Sequence, residues 1–126
     1  MSWFKTKVWN GFLGVSDGGQ AVLVIVALVV LLAHLGAIIT FLAVRGVGLQ
    51  NLRLHYTAVF GVDWVDAWWK MLTFPVFGAA AFFVNGYFSG ILARRHRLYA
   101  VTLMYLTLVL EVMLAGGGLS AILLNV

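Results

Sequence analysis

Residues Leu23–Val44, LVIVALVVLLAHLGAIITFLAV, form an apolar run of 22 residues broken by one ionisable side chain, His34. At 1.5 Å per residue such a run crosses about 30 Å of hydrocarbon, so the chain is constrained to a membrane-spanning helix here. Two more runs behave alike. One begins at the aromatic cluster Trp64–Lys70 and reaches Ala93; the other covers 98–124. With 63% hydrophobic and 10% charged residues, the 126-residue chain has too little polar surface for a soluble domain of its size. It has room for one domain and contains no cysteine, which excludes a disulfide framework and a thiolate metal site.

The expected architecture is an all-α membrane protein with spans at about 21–44, 69–93 and 98–124, forming a three-helix domain over 20–126. Residues 1–19 precede it. There Phe4, Val8 and Phe12 recur at four-residue spacing, flanked by Trp3 and Trp9, as in an amphipathic helix lying in the headgroup layer. Lys5 and Lys7 ahead of an apolar segment also resemble a signal peptide. The segment is too long for that and lacks a convincing small-x-small cleavage site, so the expectation is an uncleaved anchor. Pro75 should bend the second span near its outer end.

Orientation follows from Lys and Arg. Arg94, Arg95 and Arg97 crowd the turn between the last two spans, and Lys5 and Lys7 fall on the same side. The positive-inside rule puts that side, with the N-terminus, in the cytoplasm of an inner membrane, and the 45–69 loop and the C-terminus outside. The net charge of +4 needs no further explanation: the basic residues are scattered, and no basic face for nucleic acid is present.

In the outer loop, Leu52, Leu54, Tyr56, Ala58 and Phe60 alternate with Arg53, His55, Thr57 and Val59, which predicts a short strand followed by a turn at Gly61–Asp63. A lone strand leaves backbone groups unpaired, so it must pair within the loop or with a copy in a neighbouring subunit. Asp63 or Asp66 is placed to cap the start of the second span. Reading His55, Asp63 and Asp66 as metal ligands lacks a third or fourth partner at a recognisable spacing, so no metal is expected.

The polar residues inside the spans carry the remaining chemistry. His34 and Glu111 each lie thirteen residues from the expected cytoplasmic end of a span, in helices that run the same way. They should therefore sit at one depth and relieve each other's insertion cost of about 2.5–3.5 kcal/mol by a hydrogen bond or ion pair, with one proton shared between them. Thr107, one turn below Glu111, and Asn85 of the second span would complete a polar seam. Helix-to-helix glue is the favoured meaning of this seam, and a proton relay or transport path is the competing one. Haem is disfavoured, because only a second copy could bring a second His34 to the same plane, and no cofactor is expected.

Small residues accompany the seam. Gly86 and Gly90 are four apart beside Asn85 and Ser89; Gly78 opens GAAA, and Gly116, Gly117 and Gly118 lie in AGGGLS. Such residues let helices approach closely and favour homo-oligomers. No nucleophile–base pair, phosphate loop or metal cluster points to an enzyme. The expected role is a membrane scaffold or subunit, partnered by the lipid bilayer and by copies of itself or a larger membrane complex; the alternative is a small proton or ion pathway centred on His34 and Glu111.

The string LHYTAVFGVDWVDAWWK (Leu54–Lys70) resembles the LHYN…FGID…WYK signature of small uncharacterised three-span membrane proteins of candidate-phyla (Patescibacteria-type) bacteria, with Thr57 where Asn is usual. The resemblance extends over about 50–126, since Asn85, the Arg94–Arg97 turn and a last span follow in matching places. A looser likeness links His55, Gly61 and Asp63 to a Pro-x-His…Gly…Asp motif of some immunity-type membrane proteins, with Arg53 in place of the Pro. These likenesses imply a membrane location and a rigid outer-loop element built on His55, Gly61 and Asp63, and no activity.

Overall fold

The computed structural model describes residues 18–46, 48 and 51–126. The amphipathic segment expected over 1–19 lies outside the described residues except for Gly18 and Gly19, which already begin the first helix. Three long helices dominate: α1 (Gly18–Phe41), α2 (Thr73–Ala93) and α3 (Arg97–Leu123). A π-helical turn, Leu42–Gly46, extends α1, and a 3-10 turn, Trp68–Leu72, leads into α2. Each continuous stretch, Gly18–Arg45, Trp68–Ala93 and Arg97–Leu123, is long and apolar enough to cross a membrane.

Each helix is apolar nearly all round and buries only a narrow stripe. On α1 the buried residues Gln20, Val24, Ala27, Leu31, His34, Ile38 and Phe41 follow a three-and-four spacing. On α3 the same spacing joins Ala100, Met104, Thr107, Glu111, Gly118 and Ala121. The opposite faces expose Val29, Leu32, Phe77, Phe83, Leu106 and Met113, the surface expected of helices solvated by lipid. Helix α3 is the axis of the bundle: α1 and α2 both pack along it and touch each other sparingly.

Between α1 and α2 the chain forms an antiparallel hairpin of β1 (Asn51–Thr57) and β2 (Gly61–Ala67). This corrects the expected loop. The strand stops at Thr57, the turn is Ala58–Phe60, and Gly61–Asp63 opens the second strand. Gly61 has φ +71°, the left-handed conformation that closes three-residue hairpin loops, and Thr57 Oγ1 accepts the Phe60 N–H at 3.2 Å. The backbone pairing demanded of a lone strand is thus met within the loop. Asn51 faces Ala67 and Thr57 faces Gly61, with irregular register on either side of His55.

Alternation in β1 holds where it matters. Leu52 and Leu54 are buried and pack with Ile38, Phe41, Leu42, Met71 and Ala121 into an apolar cluster beneath the hairpin. A second cluster, Val24, Ala27, Leu31, Phe82 and Met104, fills the bundle nearer the arginine-rich turn. Asn125 clamps the hairpin to the end of α3: its Oδ1 accepts the Arg53 N–H at 3.0 Å, and its Nδ2 donates to the Arg53 and Ala121 carbonyls at 2.6 and 2.8 Å.

Pro75 lies in the first turn of α2, directly after the change of helix type at Leu72/Thr73. One further expectation is corrected. Neither aspartate caps the second span: Asp63 pairs with His55, and the residue at the cap position of the 3-10 turn is Ala67, without a side-chain bond.

Candidate functional site

The polar residues of the bundle divide into two tiers. In the tier nearer the arginine-rich turn the side chains bond one another in chains. Gln20 Nε2 donates to Ser89 Oγ at 2.9 Å, and Ser89 Oγ donates to the Ala100 carbonyl at 3.0 Å, tying α1, α2 and α3 together. One step outward, Asn85 Nδ2 donates to Thr107 Oγ1 at 2.9 Å, while that hydroxyl donates to the Leu103 carbonyl at 2.8 Å. Backbone carbonyls terminate both chains, so neither hydroxyl is left searching for an acceptor within the hydrocarbon.

The second tier holds His34 and Glu111, and the expected bond between them is absent. His34 is 5% exposed and Glu111 0%. Both ring nitrogens of His34 and both carboxyl oxygens of Glu111 are buried without a hydrogen-bond partner among the described residues. The two side chains miss each other for a countable reason. The His34 ring lies against Gly118 of α3, seven residues and about 10 Å further out along that helix than Glu111. Glu111 instead lies against Gly78 of α2. Helix α1 also begins at Gly18, not at 21, so a count from residue 21 is short.

Glycine makes room for both side chains. A Cβ built on Gly118 would collide with His34 Nε2 and come within 3.0 Å of Ile38 Cδ1, and one on Gly78 would be 2.6 Å from Glu111 Oε2. Gly117 seats the Phe74 ring, 3.0 Å from where its Cβ would stand. Gly86 and Gly90 are buried on α2. Gly116, in contrast, is exposed with nothing within 4 Å of its would-be Cβ, so among the described residues it packs no helix.

At the hairpin end of the bundle, His55 Nδ1 and Asp63 Oδ1 are 2.7 Å apart across the hairpin, with Gly61 at the turn they brace. Asp66 accepts the Ala67 N–H at 2.8 Å, which holds its carboxyl below the usual range, helped by Trp64 Nε1 and by Lys70 Nζ at 3.4 Å. Lys70 also stands 5.0 Å over the Trp69 ring. No group of three or more metal-ligating side chains occurs among the described residues.

Sequence reasoning passes over Gln20, Ser89 and Asn125 as bonding residues. Gln20 reads as flank because the apolar run starts after it; Ser89 reads only as a neighbour of glycines. Asn125 follows the last span, and nothing local signals that its amide reaches a strand 72 positions away.

Compared with protein-family models, with curated proteins and with solved structures, the chain matches none.

Proposed function

We propose that this chain is a non-enzymatic membrane scaffold or subunit that self-associates or accompanies a larger membrane complex. The observation that supports this reading is Asn85. Among the described residues its amide makes one bond, from Nδ2 to Thr107, and the residue lines a groove of about 460 Å³ between α2 and α3 with Phe77, Ala80, Ala81 and Leu110. Phe77 and Leu110 are among the exposed apolar residues, so the groove opens on the lipid side. An amide oxygen there is unmatched by acyl chains and matched by the same amide of a second copy, whose Asn85 would present the same donor and acceptor about a two-fold axis.

Mass measurement of the native complex in mild detergent tests this. The intact chain should be a multimer, Asn85→Leu should dissociate it and Asn85→Gln should retain it. A chain that stays monomeric in lipid and copurifies with nothing refutes the reading. The charge asymmetry supports an inner-membrane placement with the N-terminus and the Arg94–Arg97 turn inside and the hairpin and C-terminus outside. The likeness of Leu54–Lys70 to small three-span proteins of candidate-phyla bacteria supports the same placement.

A second reading, a small proton or ion pathway centred on His34 and Glu111, is favoured by the four unbonded buried atoms of that pair. Apolar clusters lie on both sides of the pair, so a pathway requires one of them to open. Proton flux into liposomes that disappears in Glu111→Gln, with assembly intact, would support it.

A further inference from the structure

The two apolar clusters that enclose His34 and Glu111 are built differently. The inner one, Val24, Ala27, Leu31, Phe82 and Met104, comes from uninterrupted α-helix and is bolted by the Gln20–Ser89–Ala100 and Asn85–Thr107 bonds. The outer one draws Leu42 from a π turn, Met71 from a 3-10 turn and Leu52 and Leu54 from the hairpin. Irregular elements open locally more readily than regular bonded helices do. A pocket of about 430 Å³ already lies between β1 and the outer ends of α2 and α3. It is lined by Leu54, His55, Phe74, Gly117 and Ser120 among others. Phe74 and Gly117 of its lining are in contact, and the next residue along α3 is Gly118, against which the His34 ring lies.

From this we infer that His34 and Glu111 form an internal site for water and protons that exchanges only with the hairpin side, the hairpin being a lid that Asn125 latches. The inference rests on the pathway reading of the pair. The ligand class follows from burial: groups this enclosed are out of reach of a partner's side chain, and water is the small molecule that can donate to a carboxyl and both donate to and accept from an imidazole. Among the described residues, nothing else titratable competes within the layer. Gly78 faces Glu111 from α2, and Leu31 and Ile38 flank His34 on α1. On α3, Thr107 is engaged with Asn85 and Leu103. Of the charged and titratable groups of the hairpin, His55 and Asp63 bond each other, Asp66 pairs with Lys70, Arg53 is exposed, and Tyr56 is exposed and lines the pocket with His55. When the latch opens, water enters past Phe74 and reaches the four polar atoms, which no side chain or backbone group among the described residues bonds.

The chain has no cysteine, so His34→Cys and Glu111→Cys each provide a single reporter. Full-length protein in liposomes is treated with a water-soluble methanethiosulfonate reagent. Both thiols should react slowly, and Asn125→Ala or Phe74→Ala should speed the reaction about tenfold, the scale set by loss of one or two bonds holding a locally opening element. Ser89→Ala, which loosens the inner bolt, should leave it unchanged. The inference is overturned if the thiols stay unreactive with the latch removed, or if Ser89→Ala accelerates them more than Asn125→Ala. Proton flux separates it from the reading beneath it. Latch-dependent labelling without flux in the unaltered chain leaves the access route standing and removes the pathway. Flux with latch-independent labelling removes the access route alone.

Discussion

Adding one methyl group at Gly118 should couple energetically to His34. The Cβ of Gly118→Ala would overlap His34 Nε2 and stand 3.0 Å from Ile38 Cδ1. Overpacking of that kind costs about 1–3 kcal/mol, and alanine returns up to about 1 kcal/mol over glycine within a helix. The single substitution should therefore destabilise by about 0–3 kcal/mol. With His34→Ala in place the imidazole is gone and the Ile38 methyl can turn aside. The same change then fills space, keeps the helix-propensity gain and becomes neutral to stabilising. The coupling energy across the double-mutant cycle should be about 1–3 kcal/mol. Gly116→Ala is the matched control, because nothing lies within 4 Å of its Cβ; it should stabilise or be silent in both backgrounds. Reversible unfolding in mixed micelles, followed by helical circular dichroism against the mole fraction of denaturing detergent, reads every variant. Additivity within about 0.5 kcal/mol would refute the notch, as would a Gly118→Ala no worse than Gly116→Ala.

Other expectations concern the hairpin and the bolts. Gly61→Ala forces a side chain into a left-handed backbone at φ +71° and should cost about 1–2 kcal/mol, seen as faster amide hydrogen exchange in β1 and β2 with the spans unaffected. The Asp66 carboxyl is held below its usual range, first by the Ala67 N–H, so its contribution is complete above the ordinary aspartate value of about 4 and is lost as pH falls through the lower folded one. Hairpin hydrogen exchange, corrected for its intrinsic acid dependence, should rise across that acid window in the unaltered chain and not in Asp66→Asn. Ser89→Ala removes a hydroxyl bonded to both Gln20 and the Ala100 carbonyl, and should cost about 0.6–1.7 kcal/mol in the micelle assay, the range measured for bonds between membrane helices.

The spans are legible because hydrocarbon thickness and backbone hydrogen bonding leave few choices to an apolar run longer than twenty residues. The ends of the continuous apolar stretches differ from expectation by at most three residues, and the turn at Arg94–His96 stands where expected. Register between helices is not legible. Counting from span ends aligns His34 with Glu111, yet depth depends on where each helix starts and on which glycine accepts each side chain, Gly118 for one and Gly78 for the other. Asn85 and Thr107 do meet, since antiparallel neighbours joined by a short turn keep their register by geometry. In the loop, alternation correctly predicts β1 but not its partner: GVDWVDA places Val62, Trp64 and Ala67 with Asp63 and Asp66 in no clean period of two, and the φ of Gly61 has to be seen to locate the turn.

That α3 touches both other helices while α1 and α2 scarcely touch each other has a bearing on how the molecule is made. During synthesis the two earlier spans enter the bilayer with the Gln20–Ser89 bond and sparse packing between them, while Asn85, the Ser89 hydroxyl hydrogen and Arg53 of the hairpin await partners that arrive only with residues 100–125. A ribosome stalled before Arg97 would leave two loosely related helices and a hairpin without its Asn125 clamp, a natural substrate for membrane quality control. Commitment to the native arrangement falls on the span that is translated third.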